Sequence, residues 1–283
     1  MKIYKNTNHT IYNGDVFECF SKIQNESIDL VFADPPYNIG KDFDGLKDKK
    51  NEQDFLIWTY KWIDEVFRVL KKNGSFYLMN STQSMPFLDI YCRKYFHVIS
   101  RVVWSYDSSS VQSKSSFGSQ WEPILFMSKS KKYKFNSKDI EIEAKTGAQR
   151  NLIDYRKTPP RPYNTKKVPG NVWNMNRIRF LQEEYENHPT QKPEVLLERI
   201  IKVSSDKNDL ILDPFSGSFT TSAVAKKNLR KSIGFEINEE YVKIGLRRLN
   251  IKSNFTSKEL EKVKKRKTKN KSKIDHNQTG KLI

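Results

Sequence analysis

Along most of this chain, short apolar runs of strand length alternate with longer runs that repeat apolar residues at helical spacing. The run at 27–33 (SIDLVFA) ends at Asp-Pro-Pro, which is typical of a buried strand stopped by proline. Residues 54–70 repeat apolar side chains every three or four positions and are followed by Asn73-Gly74, which favours a helix there. This alternation predicts an α/β fold whose sheet is parallel at its centre.

The same reasoning assigns the other elements and an interruption between them. It predicts strands over 75–79, 98–105, 122–128, 210–212 and 232–235, and helices over 85–96, 193–204, 220–228 and 239–249. Between 129 and 187 the pattern fails, because prolines interrupt a polar stretch rich in Lys, Arg, Asn and Tyr. The expected architecture is a doubly wound, mainly parallel sheet with an inserted lobe, divided into 1–128, 129–187, 188–251 and a basic tail at 252–283.

The formal net charge of +18 over 283 residues is the first indication of function. A surface this basic attracts polyanions and gains affinity by releasing counterions from phosphates. Residues 252–283 contain eleven Lys or Arg and three acidic residues, so this tail carries +8 of the total. The tail is as typical of a flexible, solvated extension as of a nucleic-acid arm. The remaining +10 lies in the body of the chain and favours nucleic acid as the partner.

The cysteines and histidines argue against two classes of site. Cys19 and Cys92 lie far apart, and the four histidines show no paired spacing, so we expect neither a disulfide framework nor a metal. No run approaches the roughly 20 apolar residues that a membrane span needs, and the first residues contain no apolar signal segment. We therefore expect a cytoplasmic protein with no membrane partner.

A loop of small residues follows the predicted strand at 210–212. Its backbone amides, around Asp213-Pro-Phe-Ser-Gly217-Ser, lie just before a helix and can approach a ligand at the edge of the sheet. The next strand ends at Glu236, where an acid can accept hydrogen bonds from ribose hydroxyls. The segment predicts an adenosine site, and the alternative is a glycine turn that serves only the backbone. Only Gly217 is present, and Phe219 stands where a second glycine is expected.

The segment Asp34-Pro35-Pro36-Tyr37-Asn38 directly follows the predicted strand at 27–33. Its two prolines fix the backbone so that a carboxylate, carbonyl groups and an aromatic ring converge on one spot. Such a set suits a flat base with an exocyclic amine, whose nitrogen is a poor nucleophile because its lone pair is delocalised. Asp34 and the Pro35 carbonyl can accept the amine hydrogens and stabilise the positive charge that develops during attack on a methyl group. The alternative is a rigid loop without a catalytic role.

These two segments resemble those of the amino-methyltransferases of DNA, in which a DPPY segment is catalytic and an FxGxG-like segment binds S-adenosylmethionine. The order of the segments is similar to that of the beta group, and the resemblance covers Thr10 to about Asn250. It implies a Rossmann-like domain that methylates the N6 amine of adenine in double-stranded DNA after flipping the base out of the helix. It also implies that the lobe at 129–187 recognises the target.

The resemblance assigns roles to individual residues. It implies that Asp34, Pro35, Pro36 and Tyr37 are catalytic, with the Tyr37 ring stacked on the base. Asp15 would lie near the cofactor's adenine, and Thr190 and Lys192 near its methionine end. The complete set of expected cofactor-binding residues is Asp15, Asp34, Thr190, Lys192, Asp213, Phe215, Gly217, Ser218 and Glu236.

The similarity to solitary bacterial members suggests a homodimer acting at an ATGCAT-type palindrome, whereas a cognate endonuclease is not indicated either way. Three other functions stay open at this point. A cytosine amino-methyltransferase uses the same chemistry, although a serine in place of Asp34 would favour it. A methyltransferase of RNA or of protein glutamine has a similar Pro-Pro-Tyr segment, more often led by Asn. A non-catalytic DNA-binding protein with a degenerate fold is the third, and the intact Asp34, Tyr37, Gly217 and Glu236 argue against it.

Overall fold

The computed structural model describes residues 1–43, 46–47, 49–107, 114–115, 117–145, 150–180 and 182–261. Within these residues, nine strands form the main sheet and six α-helices accompany it. The strands are β1 (Lys2–Lys5), β2 (His9–Asn13), β3 (Ile28–Ala33), β4 (Leu70–Met79), β5 (His97–Ser105), β6 (Trp121–Ser128), β7 (Val172–Asn174), β8 (Leu210–Asp213) and β9 (Lys231–Glu236). The helices are α1 (Val16–Phe20), α2 (Glu52–Val69), α3 (Met85–Cys92), α4 (Glu194–Ser204), α5 (Thr220–Lys227) and α6 (Glu239–Leu249).

The strands lie in the order β1-β2-β9-β8-β3-β4-β6-β5-β7. From β2 to β4 all neighbours run parallel, whereas β1 pairs antiparallel with β2, and β6 pairs antiparallel with both β4 and β5. The mainly parallel sheet that the alternation of elements predicted is therefore confirmed.

Both faces of the sheet are covered by helices, as a doubly wound fold requires. Alternate residues of β3 show this directly, because Val31 packs in a cluster with α1, α2 and α3, whereas Leu30 packs in a cluster with α4 and α5. All six residues of β3 are buried, which explains why five of them are apolar, and the carboxylate of the sixth, Asp29, pairs with Lys71.

The largest differences from the predicted element boundaries are at the start of β4 and at the end of α3. Helix α2 ends at Val69, and the chain becomes extended at Leu70 because β4 begins there, five residues before the predicted strand. Helix α3 ends at Cys92, short of the predicted 96. The predicted elements also omitted β1, β2, β7 and α1, whose short runs carry too few positions for a periodic pattern.

The predicted insertion is joined to the main domain by several contacts, among them a strand pairing and a set of hydrogen bonds to α4. Strand β7 pairs parallel with β5 and so extends the main sheet. Earlier in the insertion, a 3₁₀ turn at Ser137–Ile140 follows Asn136. The backbone N–H and the side-chain amide of Asn136 donate hydrogen bonds to backbone carbonyls at the end of α4. The remaining strands of the lobe are short pairs, at Ile142–Glu143 with Lys166–Lys167 and at Ile153–Asp154 with Arg161–Pro162.

The predicted basic tail begins on the surface of the main domain. The Phe255 ring lies 6.4 Å from the ring of Tyr4, and Leu260 packs against the cluster formed by β2 and α6. Residues 262–283, to which most of the tail prediction applies, lie outside the described residues. None of the described helices has the length and apolar character to cross a membrane.

Candidate active site

The carboxyl ends of β3, β8 and β9 surround a cavity of about 450 Å³. These strands are neighbours in the sheet, and parallel strands present their carboxyl ends at one edge, where open α/β sheets bind ligands. The cavity is lined by the whole predicted set of site residues, namely Asp15, Asp34, Pro35, Pro36, Tyr37, Thr190, Lys192, Asp213, Phe215, Gly217, Ser218 and Glu236. The fold therefore brings together segments that are far apart in the sequence.

Asp213 holds the loop after β8 in place. One carboxylate oxygen accepts a hydrogen bond from the backbone amide of Phe215 at 3.0 Å, and the other accepts from the Thr221 hydroxyl at 2.5 Å. Burial raises the pKa of Asp213 to about 7, against the opposing effect of these hydrogen bonds. The aspartate thus ties the loop to the first turn of α5.

Glu236 ends β9 opposite that loop. Its carboxylate oxygens accept hydrogen bonds from the backbone amides of Gly217 and Asn238, each at 2.8 Å. Burial raises its pKa to about 7. Each carboxylate oxygen has two lone pairs, so the group keeps acceptor capacity toward the cavity. This arrangement suits the hydroxyls of a ribose.

Gly217 is packed closely against the segment before α4. Its φ angle is +48°, and a Cβ atom built there would lie 2.6 Å from Nε2 of His188. His188 has no role that the sequence alone indicates. Its ring packs against the Tyr241 ring, with 4.5 Å between the ring centroids. Burial lowers the pKa of His188 to about 3, so the imidazole is neutral. The close contact leaves room only for glycine at position 217.

The structure explains the departure at Phe219. This residue has φ +57°, which normally favours glycine, yet its ring is fully buried. A Cβ atom added to Gly234 or Gly245 would lie within 3 Å of that ring. The ring fills a space between β9 and α6, so burial of the aromatic side chain offsets the cost of the backbone conformation.

One wall of the cavity is aromatic. Phe55 and Trp58 of α2 line it, and Phe215 packs against Trp58 and Trp62 with centroid distances of 5.7 and 5.1 Å. The sequence alone does not mark the α2 residues as site residues, because their helical spacing is the same as that of core positions. They give the cavity an apolar surface beside its carboxylates.

At the other end, Asp34 is held by two donors. Its Oδ1 accepts a hydrogen bond from the Tyr37 hydroxyl at 2.6 Å, and its Oδ2 accepts from Lys192 Nζ at 2.5 Å. Burial raises the pKa of Asp34, although Lys192 opposes this. Burial would lower the pKa of Lys192, but the charges of Asp34 and Glu122 outweigh it and raise that pKa. Lys192 was expected near the cofactor's methionine end, and the structure pairs its ammonium group with Asp34.

Glu122, on β6, is a site residue that the sequence analysis missed. Its Oε2 accepts a hydrogen bond from the Tyr37 hydroxyl at 2.9 Å and lies 3.7 Å from Lys192 Nζ. The residue falls in an ordinary strand pattern with no distinctive neighbours, so no feature of the sequence could have identified it. Two carboxylates therefore face the same tyrosine and the same lysine.

Basic residues line the mouth of the cavity, at Lys41, Lys49 and Lys50. Asn38 and Lys50 are joined by two hydrogen bonds. The Asn38 side chain donates to the Lys50 carbonyl at 3.0 Å and accepts from the Lys50 backbone amide at 2.6 Å. Positive charge at an opening of this kind suits a ligand that carries phosphates. Among the described residues, no group of three or more His, Cys, Asp or Glu side chains is placed to hold a metal ion.

Binding of a cationic nucleoside in this cavity should tighten as the pH rises from 6 to 7.5. Burial raises the pKa of Glu236 to about 7, so most of this group is protonated at pH 6 in the free protein. A cation and hydroxyl donors favour the carboxylate, which predicts a Kd roughly tenfold lower at pH 7.5. Titration calorimetry with S-adenosylmethionine at both values measures this.

The same raised pKa has a defined effect on stability. The pKa of Glu236 is higher in the folded than in the unfolded protein. Its contribution to the free energy of unfolding is therefore complete below about pH 4.5 and is lost as the pH rises through 7. Glu236→Gln should reduce the pH dependence of binding, and the part that remains is assigned to Asp213, whose pKa burial also raises to about 7. An equal Kd at pH 6 and 7.5 for the wild-type protein would contradict the assignment of Glu236.

A family model and several proteins of known name are similar to most of this chain. The family model described as DNA methylase matches residues 28–247. DNA adenine methyltransferase YhdJ of Escherichia coli (strain K12) is 60% identical over 271 residues, which cover 95% of this chain and 92% of that protein. Type II methyltransferase M.HpaI of Haemophilus parainfluenzae is 31% identical over 245 residues, which cover 85% of this chain and 74% of that protein.

Two solved structures have the same fold as this chain. The PvuII DNA methyltransferase (cytosine-N4-specific) gives a TM-score of 0.69 at 20% identity and covers 91% of both chains. The M1.HpyAVI–SAM complex gives a TM-score of 0.61 at 23% identity and covers 86% of this chain and 99% of that chain. The predicted Rossmann-like methyltransferase fold is therefore confirmed.

Proposed function

Because this chain belongs to the DNA methylase family, we propose that it transfers a methyl group from S-adenosylmethionine to the exocyclic N6 amine of adenine in double-stranded DNA. The observation that carries the proposal is the meeting of Asp34 and Tyr37 with Asp213 and Glu236 in one cavity. The relative at 60% identity is named a DNA adenine methyltransferase, and this favours adenine over cytosine.

The residues of the cavity fit S-adenosylmethionine. Glu236 has acceptor capacity for the ribose, Phe215 and Ile237 offer apolar surface to an adenine ring, and Asp213 contributes negative charge near the positive methionine end. The close contact between Gly217 and His188 keeps the loop backbone beside the ligand. When bound, the cofactor supplies an electrophilic methyl group on a sulfonium centre.

The residues around Asp34 act on the target amine. Asp34 and the Pro35 carbonyl accept the two amine hydrogens, which directs the nitrogen lone pair toward the methyl group. The buried carboxylate stabilises the positive charge that develops on nitrogen as the bond forms. Tyr37 stacks on the base. A base within a duplex cannot reach this depth, so the target nucleotide is flipped out of the helix.

Other parts of the chain fit a DNA partner. The loop lysines at the mouth face the phosphates beside the flipped nucleotide, and the lobe at 129–187 supplies exposed groups such as Tyr155 for target recognition. A homodimer would match a palindromic site, and sedimentation at micromolar concentration giving only monomer would contradict it. The site of action is then the cytoplasm of a bacterial cell.

Deleting residues 262–283 should weaken DNA binding without sequence preference. The deleted segment contains nine Lys or Arg and one acidic residue, so its contribution is phosphate contact and counterion release. The slope of log Kd against log salt concentration, measured by fluorescence anisotropy with two unrelated duplexes, should become shallower for both. If the slope stays unchanged, the tail does not contact DNA.

The class of substrate is tested by offering labelled S-adenosylmethionine together with equal masses of unmethylated bacterial DNA, RNA and a protein extract. Label should enter the DNA fraction. Label in RNA or protein would support the use of S-adenosylmethionine as the methyl donor but would reject DNA as the substrate. Absence of cofactor binding by a folded protein would favour a DNA-binding protein without catalytic activity.

A further inference from the structure

In the free protein, the carboxylate of Asp34 is neutralised by a buried cation. Lys192 Nζ lies 2.5 Å from Oδ2, and the two side chains are only 8% and 14% exposed. In such a poorly solvated place an ammonium group strongly reduces the negative potential of the carboxylate. Asp34 must stabilise positive charge on the target amine, so its contact with Lys192 opposes the proposed reaction. Lys192 needs another acceptor when the base arrives.

Glu122 is placed to be that acceptor. Its Oε2 lies 3.7 Å from Lys192 Nζ, so a rotation of the lysine end is enough to exchange one carboxylate for the other. The side chain of Glu122 is 16% exposed, which keeps the second ion pair as poorly solvated as the first. Transfer of the ammonium group keeps Lys192 paired and leaves Asp34 as the carboxylate without a cation, so the incoming amine, on which positive charge develops, becomes the new partner of Asp34.

Tyr37 has the same choice of acceptors. Its hydroxyl lies 2.6 Å from Asp34 and 2.9 Å from Glu122, but a phenol has a single proton to donate. When that proton is directed to Glu122, Oδ1 of Asp34 becomes available to an incoming amine. The same carboxylate can thus relieve Asp34 of both of its donors.

Glu122 is itself held from behind. Its Oε1 accepts a hydrogen bond from the Tyr106 hydroxyl at 3.3 Å, and the Arg177 guanidinium lies 4.9 Å from the centroid of the Tyr106 ring. These contacts leave Oε2 directed toward Tyr37 and Lys192. A carboxylate fixed in this way has a defined role toward the Asp34 side of the site.

We infer that Glu122 is a positioning residue that receives Lys192 and the Tyr37 hydroxyl when the target base engages Asp34. The inference rests on the proposed function, because it assigns to Asp34 the binding of an amine. Glu122 acts through Lys192 and Tyr37 and contacts neither the base nor the cofactor. A purely structural role would instead make Glu122 a fixed support for the end of β6.

A double-mutant cycle separates these two roles. Glu122→Gln keeps the size and one acceptor of the side chain but removes the charge that attracts Lys192, so single-turnover methyl transfer to a duplex should slow at least tenfold. This rate is measured at saturating cofactor. The Kd of the Glu122 variant for S-adenosylmethionine, measured separately, should stay within twofold of the wild-type value. In a Lys192→Met background there is no ammonium group to relocate, so the same Glu122 substitution should cost less than threefold.

The matched control is Glu198→Gln, which breaks an exposed ion pair with Lys202 on α4 and should leave the rate unchanged. Should Glu122→Gln fail to fold, Tyr106→Phe provides the second route, with an expected twofold to fivefold loss of rate in the native background. An equal cost of Glu122→Gln in both backgrounds, or no loss of rate from either variant, would overturn the inference. Failure of the wild-type protein to methylate DNA would instead reject the proposed function.

Discussion

Replacing Asp34 with alanine should slow methyl transfer at least about a hundredfold while leaving cofactor binding within about threefold of the wild-type Kd. Asp34 is the carboxylate proposed to accept the amine hydrogens and to stabilise the positive charge on nitrogen, and such groups typically contribute about 10²–10⁴-fold to the rate. The cofactor half retains Asp213, Glu236 and the loop between them. Single-turnover transfer and titration calorimetry measure the two effects separately.

The Asp34 variant should remain folded for a reason that the structure provides. Removing Asp34 leaves the Lys192 ammonium group buried, but Glu122 lies 3.7 Å from it and can take over as its partner. The control is Asp64→Ala, which removes an exposed carboxylate that accepts from Tyr91 on the surface of α2 and α3. A residual rate above one tenth of wild type for Asp34→Ala would contradict its catalytic role.

Gly217→Ala should weaken binding of S-adenosylmethionine at least tenfold. The added methyl group would lie 2.6 Å from His188, and the φ angle of +48° costs a non-glycine residue roughly 1 kcal/mol. The loop must then shift, which breaks the hydrogen bond between the Gly217 amide and Glu236. Titration calorimetry at pH 7.5 measures the loss of affinity.

The chain offers a matched control for this substitution. Gly170 has no atom within 4 Å of an added Cβ and has no positive φ, so Gly170→Ala should bind the cofactor as the wild type does. Gly40 also has open space, but its φ is +73°, so Gly40→Ala tests the backbone cost without a clash against a neighbouring side chain. Unchanged affinity in Gly217→Ala would mean that the loop does not approach the cofactor.

The parallel centre of the sheet and the positions of the acids could be predicted because they follow from local sequence. Asp34, Asp213 and Glu236 each stand at or just beyond the end of a strand, and parallel strands bring such ends to one edge. The helices of 11 or more residues were predicted to within two residues at their ends, because long periodic segments carry a strong signal.

The contacts that define the catalytic end could not be predicted in the same way. The pairing of Lys192 with Asp34 joins the segment before α4 to the end of β3, and nothing in either segment specifies the other. Glu122 reaches Tyr37 only because β6 pairs antiparallel with β4, which lies between β6 and β3 in the sheet. Strand β7 was missed because three residues carry no periodicity, and its pairing with β5 depends on the whole insertion.

The measurement that tests the central claim most directly is nucleoside mass spectrometry of unmethylated bacterial DNA after reaction with the protein and labelled S-adenosylmethionine. The account predicts that all label in DNA is 6-methyladenine and that Asp34→Ala forms less than about one tenth of this product in the same reaction time. Label in 4-methylcytosine, or a yield of 6-methyladenine above about one tenth of wild type from the Asp34 variant, would contradict it.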